Sequence, residues 1–330
     1  MITSRQTVEA AGPFAEHLNR YGVCILDGAF GTEAVVCCDK NNNAMTATAP
    51  VEREKMCPPL QHPSVDLAVL DTATAGVDND ADPLWGCRLL LGPLERVRDI
   101  HLGHLHAGAM IITTGSYQVS DLTLARRAAW MANSAQPVPL IGIRSENDKD
   151  AQEYEAAVVE LFARAICAAD AARREYIVAR SSVQTASELE PWIAISLGPI
   201  GAMLGGGREY TGDYAEIGAT EAHMTAFHRR QLHAARTAAL HHGLSRFMFA
   251  WETLPSLLEA SAVATVLREV EAEIKPPSAE DAIANIAAPF YCWVSFNARD
   301  GMHTGSGEPV EVCVRALHQV RSVAAIGVNC

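Results

Sequence analysis

The chain has 330 residues, of which 49% are hydrophobic and 20% charged, and it carries a net charge of −13. Such a composition supplies ample core for a globular protein, and the acidic balance argues against nucleic acid or an anionic membrane as partner. No apolar run of signal-peptide or membrane-span length occurs, and the nine cysteines are dispersed rather than packed into a disulfide framework. The expectation is a cytoplasmic protein with free thiols.

The first predicted strand, residues 22–26, ends in Asp27-Gly28-Ala29-Phe30-Gly31-Thr32-Glu33, which lacks the G-x-G-x-x-G spacing of a dinucleotide site. Residues 39–82 then break the rhythm with Asn41-Asn42-Asn43, Pro58-Pro59 and Asp78-Asn79-Asp80, which is the chemistry of a surface insertion. Cys37 and Cys38 are adjacent, so on a helix their side chains diverge by about 100° and do not chelate one ion. A helix over 94–106 carries His101, His104 and His106; the first two share a side and the third points elsewhere, so they read as packing and surface residues.

A second strand covers 110–114, and a polar break at 144–150 leads into a long helix over 151–179. The third strand, 192–196, runs into Gly198-Pro199 and then the glycine-rich stretch 205–213. That stretch lacks the Lys-Ser/Thr ending of a P-loop and reads as a flexible active-site loop. Helix 220–242, strand 247–251 ending at Glu252, helix 255–274, strand 291–296 ending at Asn297 and strand 323–328 complete the chain, which closes on Asn329-Cys330.

Strands that are continuously hydrophobic, alternating with helices, imply an α/β architecture with parallel strands buried on both faces. An open doubly wound sheet and a (β/α)8 TIM barrel both fit six such units, and the missing glycine fingerprint favours the barrel. Six strands of eight would leave it truncated after strand six, as a single incomplete domain over 1–330. On a barrel the residues past the strand ends form one rim, which gathers Asp27, Thr114, Ser116, Glu252, Asn297 and Cys330. Asp27 and Glu252 read equally as helix N-caps, and Cys330 as a buried thiol. One cysteine does not hold zinc, which takes at least three protein ligands.

Eight segments in shared order resemble the zinc-dependent homocysteine S-methyltransferase family. They are Leu26 to Glu33, Asp82-Pro83-Leu84-Trp85-Gly86, Ala107-Gly108-Ala109, Thr113 to Gln118, Ser196 to Ala202, Glu209-Tyr210-Thr211-Gly212-Asp213-Tyr214, Glu252-Thr253-Leu254-Pro255-Ser256 and Gly327-Val328-Asn329-Cys330. The resemblance implies a barrel that makes methionine by transferring a methyl group from S-methylmethionine or S-adenosylmethionine to homocysteine. It implies Zn2+ held by three cysteines, of which Cys330 matches the first. The other two belong to a Gly-Gly-Cys-Cys motif, absent here along with strands seven and eight, or roughly 60 to 80 residues.

Zinc would deprotonate the homocysteine thiol, and the thiolate would displace a neutral thioether from the sulfonium methyl with no general acid. The resemblance also places Asp27 and Glu252 on the amino-acid part of homocysteine, with Glu252 facing its ammonium. Backbone N–H groups near Gly28 to Phe30 would meet its carboxylate, and Asn329 would stand behind the site. The competing expectation is a truncated, non-catalytic paralogue that acts by binding or interaction. The methyl donor and the oligomeric state are left open.

Overall fold

The computed structural model of the protein describes residues 26–27, 82–131, 149–180, 190–214, 218–273 and 290–329, with side chains in the long helix from Tyr154 onward. Within them lie helices α1 (Glu95–His106), α2 (Asp121–Met131), α3 (Lys149–Arg180), α4 (Ile200–Leu204), α5 (Arg208–Thr211), α6 (Glu221–His242), α7 (Leu257–Glu273) and α8 (Val310–Leu317). The strands are β1 (Ile111–Thr113), β2 (Trp192–Leu197), β3 (Phe247–Leu254), β4 (Cys292–Asn297) and β5 (Val323–Asn329). The four helices expected from periodicity, α1, α3, α6 and α7, each fall within two residues of their expected ends. The class is α/β with parallel strands. No described helix is long and apolar enough to cross a membrane.

The chain divides into two compact units, each built from segments distant in sequence. One unit comprises Ile25–Leu197 and Gln231–Phe247. In it β1 and β2 pair in parallel from Ile111↔Trp192 to Thr113↔Ala194, and Leu26 bridges to Ile111 as the trace of the first predicted strand. Every residue of β2 is buried. The long helix α3 buries Val158, Leu161, Phe162, Ala165, Ile166 and Ala169, a spacing of three and four that makes one continuous apolar stripe. Each large side chain in that stripe contributes about 1.5–3 kcal/mol of burial. Alanine loses no rotamer freedom in a helix, so the stripe also forms at low entropic cost.

Asp82, expected as the last residue of a surface insertion, is buried in this unit. It accepts the Leu84 N–H at 3.0 Å and pairs with the fully buried Arg127, whose charge makes its burial tolerable. The rest of the expected insertion, with Cys37 and Cys38, lies outside the described residues. His101 is wholly buried, which holds its imidazole down at about pKa 3, while His106 is exposed and meets the Tyr176 ring edge-on.

The other unit contains Gly198–Arg230 and Met248–Cys330. There β3, β4 and β5 form a parallel array, with Phe249↔Cys292 and Trp251↔Val294 in one pair and Cys292↔Val323 through Asn297↔Asn329 in the other. Its core includes Phe249, Trp251, Val294 and Phe296, and α7 and α8 pack against each other. The last strand departs from the expected full burial. Ala325, Gly327 and Val328 are exposed, because β4 is the one described strand with which β5 pairs.

Candidate functional site

Parallel strands bring their C-terminal ends to one edge, and in the β3–β4–β5 unit that edge carries the polar residues. Strand β3 continues past its expected end at residue 251 through Glu252 and Thr253 to Leu254. Its register slips on the way: Trp251 pairs with Val294 but Leu254 with Phe296, so two residues of β3 face one of β4. A bulge of this kind bends a strand and re-aims its side chains. The extra residue is accommodated by Thr253, whose φ of 61° places a β-branched residue in the left-handed region.

Asn329, at the end of β5, holds that conformation. Its Oδ1 accepts the Thr253 N–H at 3.1 Å and its Nδ2 donates to Thr253 Oγ1 at 2.8 Å. The amide N–H can only donate, so this pair of bonds fixes which way the Asn329 carboxamide faces. The half-buried Glu252 is thereby set one peptide from a doubly held residue. Asn329 in turn precedes Cys330, which lies outside the described residues.

The loop that precedes α6 is fastened to the same unit by Glu259. Ser256 caps α7 by accepting the Glu259 N–H at 3.2 Å. The Glu259 carboxylate, wholly buried, does not return to the cap. It accepts the Ile200 N–H at the start of α4 (2.6 Å), the Tyr214 hydroxyl (2.8 Å) and lies 3.0 Å from His228 Nε2. Between those anchors the glycine-rich stretch is an ordered turn, with Gly205, Gly206 and Gly207 at φ near +70° and the single helical turn of α5 behind them. Residues with a Cβ adopt three such positions in succession only at prohibitive cost. Gly201 allows the approach of α5, since a Cβ there would lie 2.5 Å from the Glu209 nitrogen.

In the other unit Asp27 stands just past the first predicted strand. Its carboxylate accepts the Thr113 N–H at 2.6 Å and the Thr113 hydroxyl at 2.7 Å. Burial pushes the acid up to about 6, against the pull of those two bonds and of nearby His104. Thr114 and Ser116, expected on the rim, are buried and engaged with the backbone. Thr114 Oγ1 accepts the Ser196 N–H and meets Ser116 Oγ at 2.7 Å, and Ser116 donates to the Ser196 carbonyl. They splice β1 to β2 rather than face a ligand.

Of the expected site residues, Glu252 and Asn329 are brought together through Thr253, and Asp27 is held by Thr113. Gly28, Phe30 and Cys330 lie outside the described residues. Among the described residues no three His, Cys, Asp or Glu side chains converge to hold a metal ion, and Cys87, Cys167, Cys292 and Cys313 are buried as free thiols. The described residues therefore do not themselves assemble a zinc centre. Sequence reasoning assigned no role to Thr253, Glu259 or Glu209. The Ser256-Leu257-Leu258-Glu259 spacing reads as a capping box, and nothing in the sequence marks a left-handed threonine.

A family model described as homocysteine S-methyltransferase matches residues 24–330. Homocysteine S-methyltransferase 2 of Zea mays is 30% identical over 249 residues, spanning 76% of this chain and 60% of the maize protein. Homocysteine S-methyltransferase YbgG of Bacillus subtilis is 29% identical over 280 residues, 82% of this chain and 72% of that protein. The metallated form of the homocysteine methyltransferase MmuM from Escherichia coli superposes with a TM-score of 0.62 at 25% identity, covering 97% of this chain and 78% of MmuM. The chain thus spans about 60% of the length of the maize relative. With the match running over nearly all its residues, the chain belongs to the homocysteine S-methyltransferase family.

Proposed function

We propose that this chain is the homocysteine-binding body of an S-methyltransferase that makes methionine from homocysteine and a sulfonium donor, S-methylmethionine or S-adenosylmethionine. The observation that carries the reading is the bulged end of β3, where Asn329 holds a left-handed Thr253 beside Glu252. A strained residue held by two specific bonds at a strand end is the kind of feature that accumulates at ligand sites. The family match and the parallel strands support a (β/α)8 barrel as the frame, and a cytoplasmic protein working on small molecules rather than on nucleic acid or membrane.

In this reading Glu252 takes the ammonium of homocysteine. Asn329 acts through Thr253 to fix Glu252. The proposed metal is Zn2+, with Cys330 as this chain's ligand; bound there it would favour the thiolate form of homocysteine. In the transfer itself the homocysteine thiol loses its proton to solvent, and its sulfur pair forms the new S–CH3 bond. The methyl–sulfonium bond breaks, its electron pair stays with the donor sulfur, and the donor departs as a neutral thioether. The residues contribute chiefly by holding the two sulfurs in line, where proximity supplies much of the rate.

Titration of homocysteine into the protein and into Glu252→Ala tests the assignment. Loss of a charge-assisted contact predicts binding weaker by about 10- to 100-fold. An unchanged Kd removes Glu252 from the site. Methionine formation is then followed with S-methylmethionine, S-adenosylmethionine and betaine in turn. Homocysteine binding without turnover on any of them favours the non-catalytic paralogue.

A further inference from the structure

Four acidic side chains among the described residues are more than nine-tenths buried: Asp82, Asp170, Glu209 and Glu259. Three of them are compensated. Asp82 has Arg127 and the Leu84 N–H; Asp170 has Arg173, Arg174 and His242; Glu259 has Ile200, Tyr214 and His228. Glu209 differs. It is 7% exposed, its Oε2 is sealed from water, and among the described residues no hydrogen bond or ion pair reaches its carboxylate. A carboxylate stripped of water without a partner is heavily penalised, so a fold keeps one where a cation arrives later.

The place of Glu209 supports that role. It lies on α5, whose Thr211 carbonyl accepts the Ser306 hydroxyl at 3.2 Å. The Ser306 N–H donates to the Pro255 carbonyl beyond β3, and the neighbouring Gly305 N–H to the carbonyl of Asn297 at the end of β4. The turn that bears Glu209 is therefore tied to the same C-terminal edge that presents Glu252, from a separate element. Gly201 presses against its backbone from the other side, so the turn has little room to move.

We infer that Glu209 receives the positive charge of the methyl donor. The inference rests on the proposed methyltransferase reading and extends it to the second substrate: Glu252 serves homocysteine, and Glu209 serves the sulfonium compound. Such a carboxylate discriminates charge as well as shape. The donor enters as a sulfonium cation and leaves as a neutral thioether, so the contact favours substrate over spent donor. Because the attraction is already present before transfer, it acts on donor affinity rather than on the chemical step.

The test is calorimetric titration of S-methylmethionine, and separately of homocysteine, into the protein and into Glu209→Gln. The variant is expected to bind S-methylmethionine about 10- to 100-fold more weakly, to bind homocysteine as before, and to melt no lower, since a buried carboxylate with no partner among the described residues gives way to a neutral amide. Donor binding equal to that of the parent protein, or a lower melting temperature with donor affinity intact, overturns the inference. A second series needs no variant. The parent protein is titrated with methionine, which keeps the ammonium alone, with dimethylsulfoniopropionate, which keeps the sulfonium alone, and with 3-(methylthio)propionate, which has neither. Dimethylsulfoniopropionate is expected to bind more tightly than 3-(methylthio)propionate, and methionine more weakly than S-methylmethionine; methionine binding as tightly as S-methylmethionine, or equal binding of all three, overturns the inference. Failure of homocysteine to bind the parent protein would instead strike at the methyltransferase reading itself.

Discussion

Thr253 is held against its own preference. Left-handed backbone at a β-branched residue costs on the order of 1–3 kcal/mol, and Asn329 offsets it by engaging both the N–H and the hydroxyl. This predicts an inverted substitution order. Thr253→Val keeps the strain and loses the hydroxyl, while Thr253→Gly loses the hydroxyl but relaxes the backbone, so the glycine variant should be the more stable by about 1 kcal/mol. Urea unfolding of the pair checks it, and a less stable glycine variant would show that the φ of 61° carries no strain. Asn329→Ala leaves two buried groups on Thr253 unpaired, at about 1–3 kcal/mol. If Asn329 also positions Glu252, that variant loses homocysteine affinity; a fall in stability alone would leave it a purely structural residue.

At the scale of elements, most of the fold was legible because hydrophobic periodicity is a local property. The stripe Val158, Leu161, Phe162, Ala165 announces α3, and the unbroken run 192–197 announces a strand buried on both faces. What was not legible depends on partners. Val328 sits in an equally apolar run, yet is 61% exposed, because burial is decided by which strands lie alongside. Glu252 and Thr253 look like the start of a loop, yet they extend β3 through a bulge that only the register with β4 reveals. Glu259 has the spacing of a capping box, but a carboxylate goes to the strongest available donors, and three of these come from α4, Tyr214 and α6. Its removal should be felt in all of them. Glu259→Ala strands three buried partners and is expected to destabilise by about 3–5 kcal/mol, with Glu259→Gln intermediate because its amide still accepts one bond. Denaturant midpoints at constant m measure this; a loss under about 1 kcal/mol would mean the three elements are fastened by apolar packing instead.

At the scale of the molecule, buried ionisable groups set how stability varies with pH, and three of them share the β1–β2 unit. Asp170 is held at about 2: burial works against this, but His242, Arg173 and Arg174 outweigh it, so its contribution is present above about pH 4 and lost as the pH falls toward 2. His101 is held at about 3 by burial and by His104, so the unfolded chain binds its proton first and stability falls on acidification from about pH 6.5. Asp27 has the opposite sign. Raised to about 6, it binds a proton in the folded state that the unfolded chain has released, so its contribution is full below about pH 4 and lost by pH 6. Between pH 4 and 6 the slopes of Asp27 and His101 oppose each other, and this unit's stability should be nearly flat. Asp27→Asn removes one of the two. The stability of the variant relative to the parent should then climb with pH across that interval, by about 1.4 kcal/mol per unit at most, and level off above pH 6. Chemical denaturation of both proteins at half-unit steps reads this difference directly. A difference that does not change with pH would mean that Asp27 titrates as an ordinary carboxylate, and that its two bonds from Thr113 fully offset its burial.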